Sequence, residues 1–260
     1  MNDPIALLSD FGHADPYVGV MKGVILSRAP KATIVDLCHG IGPQDVRAAA
    51  FALRSSVSFF PKGTLFVAVV DPEVGSGRRI LWAKTARHTF LAPDNGLLAW
   101  LDDDKQLIDM RALMNKSLWL PEVSETFHGR DIFAAVAGRL ARGLAPARLG
   151  PRIVDMMRLR FPGPTRNGGR VKGEILVIDR FGNAVTNLRR EHMAPGVKIY
   201  FGGHGNGRGI GPVADFYAGV SEGKSLTLFG SSGYLELSIR NGDFARRYRA
   251  RPGDKVYVGR

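Results

Sequence analysis

The stretch RLRFPGPTRNGGR, residues 158–170, divides the chain into two parts with different patterning. It holds two prolines, three glycines and four arginines without apolar periodicity, so it reads as a linker. Upstream of it, strand-like and helix-like runs alternate. PIALLSD (4–10), ATIVDLC (32–38), TLFVAVVD (64–71), RILWAKT (79–85) and HTFLAPD (88–94) read as strands. PYVGVMKGVILSRA (16–29) reads as a helix with Val18, Met21, Val24 and Ile25 on one face. PQDVRAAAFALRSS (43–56) reads as a second, with Pro43 near its first turn and Val46, Ala49, Ala50 and Leu53 facing inward. DIFAAVAGRLARG (131–143) reads as a third. Strands apolar along their whole length, alternating with helices, predict an α/β layer with a largely parallel sheet. Downstream, EILVIDR (174–180), VKIYFGG (197–203), SLTLFG (225–230), YLELSIR (234–240) and KVYVG (255–259) follow one another with no long helical pattern between them. That predicts a small all-β, barrel-like domain. The expected organisation is an α/β domain over 1–160, a linker over 161–172 and a β domain over 173–260.

Composition sets outer bounds. Of 260 residues, 45% are hydrophobic and 23% charged, which fits a globular protein with a sizeable core. No apolar run approaches the roughly 20 residues of a membrane span. No basic stretch followed by a long apolar run suggests a secretory leader. The single cysteine, Cys38, excludes an internal disulfide; it closes an apolar strand pattern, predicting a packed side chain in a reducing, cytoplasmic setting. The net charge of +12 invites a nucleic-acid reading, but the basic residues are dispersed, with no aromatic-interleaved stripe and no zinc-finger spacing. A solvated basic surface is the expectation.

Ligands of open α/β sheets bind beyond the carboxyl ends of the strands, so polar residues there are candidates. Asp10 follows the first strand, Asp71 follows TLFVAVV, Asp94 and Asn95 follow HTFLAP, and His128 and Arg130 precede the late helix. Several familiar chemistries are missing. SDFG (9–12) lacks the lysine strand and catalytic loop of a kinase, there is no P-loop and no G-x-S-x-G, and GGHGNGRGIG (202–211) reads as a loop. The six histidines show no H-x-x-x-H pair and Cys38 has no partner, so no metal site is expected. What remains is a metal-free site in which Asp71, Arg78 and His128 could hold and orient a water. In the second domain, Asp179, Phe181 and Asn183 in IDRFGNAVTN, and Ser231 to Glu236 in SSGYLE, set an aromatic beside an amide, which suits a planar heterocycle.

Seven blocks in this order carry a resemblance: LLSDFGHADPYVGVMKGVI, DLCHGIGPQDVRAAAFAL, FPKGTLFVAVVDPEVGSGRR, PDNGLL, TFHGRDIFAAVA, IDRFGNAVTN and GSSGYLELSIRNG. Together they resemble the S-adenosyl-L-methionine (SAM) hydroxide adenosyltransferases, SAM hydrolases related to the fluorinase and chlorinase. The resemblance implies an α/β domain and a β-barrel-like domain, a homotrimer, and SAM bound between the first domain of one chain and the second of its neighbour. It implies attack of water on the ribose C5′, releasing L-methionine and adenosine with no cofactor. On this chain it assigns Asp71, Arg78 and His128 to the water, and Asp10 to the ribose diol. It assigns Asp15, Asp179 and Ser231 to the methionine portion, and Phe181, Asn183 and Glu236 to adenine. Two residues depart from the family pattern: Glu73 stands in place of a common glycine, and Ala135 in place of a common proline. A SAM-dependent halogenase and a non-catalytic SAM or adenosine binder are the alternatives. Asp71, together with Gly129 in place of a side-chain donor, favours hydroxide over halide.

Overall fold

A computed structural model describes residues 3–159, 161–167, 169–194, 196–202 and 207–259. The chain forms two compact units, 1–160 and 161–260. Residues 203–206 of GGHGNGRGIG, His204 among them, and the last residue of VKIYFGG lie outside the described residues, and Arg208–Ile210 of the same stretch forms a strand rather than a loop.

Unit 1 is a six-stranded sheet in the order β2-β1-β3-β5-β4-β6. Its strands are β1 (Ile5–Ser9), β2 (Ile34–Cys38), β3 (Leu65–Val69), β4 (Ile80–Lys84), β5 (Thr89–Pro93) and β6 (Asp109–Ala112). The pairs of β1 with β2, β1 with β3, and β3 with β5 are parallel, and β4 runs antiparallel to β5 and β6. The largely parallel expectation therefore holds, with an antiparallel edge that includes β6, a strand the sequence patterning does not reveal. β1 and β3 are buried along their whole length, as a sheet covered on both faces requires.

Helix α1 (Tyr17–Arg28) buries Val18, Met21 and Ile25, spaced to share one face, each stabilising the fold by up to about 1.5–3 kcal/mol. Helix α2 (Val46–Ser56) buries Ala49, Ala50 and Leu53 as expected. Its start differs from the sequence reading. Asp45 is the N-cap, its carboxylate accepting the Ala48 N–H at 2.8 Å, so Pro43 lies before the helix rather than in its first turn. A short helix α3 (Trp100–Asp103) follows β5. The late helix begins as a π-helical turn, Gly129–Ala134, that continues into α4 (Ala135–Ala141). Ala135 is fully buried at that junction.

Unit 2 is antiparallel and nearly closed. Its strands are β7 (Thr165–Asn167), β8 (Arg170–Ile178), β9 (Ala184–Arg189), β10 (Lys198–Phe201), β11 (Arg208–Ile210), β12 (Ser225–Phe229), β13 (Tyr234–Ile239) and β14 (Lys255–Gly259), with a short helix α5 (Phe244–Tyr248) before β14. The order is β11-β10-β14-β8-β9-β13-β12, with β7 paired to β8. The chain leaving β11 then meets β12: Thr227 N–H donates to Pro212 O at 3.0 Å and Ala214 N–H to Thr227 O at 2.8 Å. That contact brings the two ends of the sheet together. The segment 161–172 is thus not a free linker. It carries β7 and the start of β8, joined by a tight hairpin whose flanking arginines conceal the strand pattern. A core of Ile175, Leu188, Leu235, Leu237, Phe244 and Val256 fills the barrel.

Candidate active site

Parallel pairing of β1 with β3 sets Ser9 beside Val69, so Asp10 and Asp71 leave the same edge of the sheet. After Asp71 the chain turns back through 72–78 and returns Arg78 to the carboxylate. Arg78 Nε donates to both Asp71 oxygens, at 3.0 and 2.8 Å, and Nη2 also reaches Oδ2. Both side chains are 5% exposed. The same Nη2 lies 3.0 Å from His128 Nδ1. Gly75 (φ +82) lets this loop lie against the Glu125 carbonyl, where a Cβ would collide. The three residues assigned to the water therefore come together from two segments.

A guanidinium can only donate, so His128 Nδ1 is the acceptor and its proton sits on Nε2. Burial depresses the His128 pKa and the Arg78 charge depresses it further, against opposition from Asp71, Glu125 and Asp131. The ring is neutral at pH 7, and what it offers a bound water is an N–H. The carboxylate and the neutral imidazole are held by one arginine, a rigid frame for a small polar nucleophile.

Asp10 accepts the Gln44 N–H on Oδ2 at 2.8 Å; Gln44 takes a left-handed conformation (φ +63) to present it. Asp15 is exposed beside Pro16, the N-cap of α1, and no side chain caps that helix. Glu73 is exposed and its carbonyl accepts the Ser76 N–H at 3.0 Å, a turn-forming role. The remaining strand-end candidates are structural. Asp94 binds Arg79 Nε and the Met157 N–H, both at 2.7 Å, Asn95 Nδ2 donates to Val70 O at 2.8 Å, and Arg130 pairs with buried Asp131. Cys38 is half-buried rather than packed inside. Among the described residues no group of three or more His, Cys, Asp or Glu could hold a metal ion, and no helix is long and apolar enough to cross a membrane.

Unit 2 carries a cavity of about 880 Å³. Asp179, Phe181, Asn183, Ser231 and Glu236 all line it, five residues that the sequence places in two separate stretches. Asp179 organises the entrance: Oδ1 accepts the Phe181 and Asn183 N–H groups at 2.9 and 2.8 Å, and Oδ2 accepts Asn183 Nδ2 at 2.9 Å. Phe181 is left 77% exposed, a bare ring at the cavity wall. Glu236 accepts the Tyr217 hydroxyl at 2.8 Å. Burial raises the Glu236 pKa and the Asp179 charge adds to it, while burial and Glu236 raise the Tyr217 pKa. Sequence reasoning misses Asp215, Phe216, Tyr217 and Phe229, which also line the cavity. The only signal for the first three is ADFYAG (214–219), an acid and two aromatics in a stretch without periodicity.

Three half-buried or buried histidines, His39, His88 and His128, have pKa values lowered chiefly by burial. The unfolded chain binds more protons than the folded one near and below the ordinary value of about 6.5, so folding stability rises with pH there. Thermal unfolding is expected at a lower Tm at pH 5.5 than at pH 7.5, and an unchanged Tm would contradict these environments.

The α/β unit thus carries a buried carboxylate–arginine–imidazole frame, and the barrel unit an aromatic, amide-lined cavity. Residues 5–150 match the SAM hydroxide adenosyltransferase N-terminal domain, and residues 173–257 match its C-terminal domain. The chain belongs to the SAM hydroxide adenosyltransferase family. It is 42% identical to a protein of Thermus thermophilus named (R)-S-adenosyl-L-methionine hydrolase, covering 92% of each chain. A fluorinase of Actinoplanes sp. is more distant, 32% identical over 74% of each chain. The fold matches the crystal structure of an uncharacterized conserved protein from Thermotoga maritima, with a TM-score of 0.90, 33% identity, and coverage of 98% of this chain and all of that one.

Proposed function

We propose that the protein hydrolyses SAM to adenosine and L-methionine, with water or hydroxide attacking the ribose C5′ in line with the departing sulfur. The observation that carries this reading is Arg78 bridging Asp71 and His128. The C5′–S bond breaks as the C5′–O bond forms. The sulfonium takes up the bonding pair and leaves as a neutral thioether, and one water proton is released. The leaving group is already activated by its charge, so the protein's work is to position and desolvate the nucleophile. His128 Nε2–H donates to the nucleophile oxygen, Arg78 favours hydroxide character, and Asp71 holds Arg78 in place and accepts from the water. No metal or cofactor takes part.

Asp10 clamps the ribose diol, and Asp15, Asp179 and Ser231 receive the methionine portion. Phe181 stacks on adenine beside Asn183 and Glu236. The substrate needs both sets of groups, one in each unit, and we place it between unit 1 of one chain and unit 2 of its neighbour in a homotrimer. The relatives' printed names support the (R)-sulfonium epimer as the substrate. A cytoplasmic location agrees with a lone cysteine and with SAM as substrate. The Asp71 carboxylate at the nucleophile position disfavours a halogenase, since an anion there opposes halide entry.

Incubation with SAM, chloride and EDTA is expected to yield adenosine and methionine in equal amounts. Formation of 5′-chloroadenosine, or loss of turnover restored only by added metal, would contradict the reading. A pH profile tests the frame itself. Protonating His128 would set an N–H against Arg78, so kcat is expected to fall on the acid side with an apparent pKa below 6.5. An acid limb centred above 6.5, or one that persists unchanged in His128→Gln, would show that another group is titrating.

A further inference from the structure

Behind Asp10 lies a hydrogen-bonded chain to which the proposed reaction gives no role. Ser9, the last residue of β1, is 1% exposed, and its Oγ lies 2.7 Å from His39 Nδ1. His39 is 2% exposed, and its Nε2 lies 3.1 Å from Asp36 Oδ1. Lys22 from α1 closes the far end on Asp36 Oδ2 at 2.6 Å.

Strand β2 ends at Cys38, and His39 lies in the bend that follows it. The β1–β2 register shifts just before that end: Leu7 pairs with Asp36 but Leu8 pairs with Cys38, so Leu37 is skipped. The bend beyond this irregular strand end turns the imidazole back onto the Asp36 carboxylate, and such irregularities recur beside active sites.

The polarity of the chain is fixed by chemistry. Asp36 only accepts, so His39 carries its proton on Nε2 and leaves Nδ1 to accept the Ser9 hydroxyl. Ser9 Oγ in turn accepts the Phe11 N–H at 3.3 Å. That N–H belongs to the peptide bond between Asp10 and Phe11. A second tie holds the same loop: Gly12 N–H donates to the His39 carbonyl at 2.8 Å. The His13 ring stands edge-on to His39, with centroids 5.2 Å apart. Backbone on the far side of Asp10 is thereby held by His39, while the Gln44 N–H holds its carboxylate.

We propose that Ser9, His39, Asp36 and Lys22 form a positioning network that fixes the Asp10 carboxylate for the ribose diol. It rests on the assignment of Asp10 to that diol. The network governs nucleoside affinity and leaves the chemical step to Asp71, Arg78 and His128. Breaking a link lets the Asp10 peptide rotate, so the bidentate grip on two hydroxyls is lost first.

Calorimetry with adenosine and 2′,3′-dideoxyadenosine, alongside SAM kinetics, tests it. Ser9→Ala and His39→Gln, which remove one side or the other of the Ser9–His39 bond, are expected to weaken adenosine binding and raise KM about tenfold. Neither variant should change kcat more than about twofold or alter dideoxyadenosine binding, since that ligand lacks the hydroxyls. His39→Asn, whose side-chain oxygen can replace Nδ1, should recover most of the loss. Lys22→Met, at the exposed end, should move affinity in the same direction by about two- to threefold, and serves if the buried variants do not fold. If Asp10→Asn loses adenosine affinity but the network variants do not, the network does not position Asp10. If the network variants weaken both ligands equally, the effect is general loosening, and the proposal fails. If Asp10→Asn leaves the preference for adenosine over dideoxyadenosine intact, the diol assignment fails and takes the network's role with it.

Discussion

Arg78→Met is expected to lower kcat for SAM by about 10³-fold while changing KM no more than a few-fold. Among the described residues, Arg78 is the group that touches both partners of the frame: Nε and Nη2 hold Asp71, and Nη2 reaches His128 Nδ1. A methionine of similar length fills the space but donates nothing. Asp71, 5% exposed, would be left as a buried carboxylate without its counter-charge, and His128 would lose the donor that fixes its tautomer. The nucleophile then has neither an oriented N–H nor a cation, whereas the groups assigned to ribose, adenine and methionine are untouched. The variant is also expected to unfold at a lower Tm, because breaking a buried ion pair costs about 3–5 kcal/mol. Stopped-flow or steady-state kinetics at saturating SAM reads the effect. A variant with near-normal kcat and a greatly raised KM would move Arg78 from the chemistry to binding.

Asp179→Ala is expected to do the opposite, raising KM for SAM and Kd for adenosine about 10²-fold with a much smaller change in kcat. One carboxylate there accepts three donors, from Phe181 N–H, Asn183 N–H and Asn183 Nδ2. Gly182 between them holds φ +81, and its missing Cβ leaves room for the Asp243 carboxylate. Without the Asp179 carboxylate the turn keeps only backbone bonds, Asp179 N–H to Asn183 O and Gly182 N–H to Asp179 O, and the Phe181 ring and the Asn183 amide lose the anchor that holds them at the cavity wall. Asp179→Asn should be intermediate, since its amide oxygen can still accept. Unchanged adenosine affinity in Asp179→Ala would show that the cavity in unit 2 is not the nucleoside site.

Much of this arrangement is legible in the amino-acid sequence for definite reasons. The buried strands β1 and β3 are apolar throughout, and helices α1 and α2 carry their inward residues at helical spacing, so the α/β layer is plain. Strand ends then point to Asp10 and Asp71. β6 escapes because its pattern, Asp-Met-Arg-Ala, alternates half-buried and buried positions over only four residues. β7 escapes because a strand of three polar residues, Thr-Arg-Asn, has no apolar side to show. The π-helical start of the late helix, just after His128, leaves no trace in composition. Nor does the register shift at Leu37 or the bend after β2 that returns His39 to Asp36. Tyr217 is invisible for a different reason. Its value lies in a long-range partner, Glu236, that no local pattern announces.

Incorporation of solvent oxygen tests the central claim most directly. Purified protein turned over with SAM in H₂¹⁸O should give adenosine carrying one heavy oxygen at the 5′-hydroxyl and methionine carrying none. Adenosine without the label, or label found in methionine, would contradict attack of water at C5′.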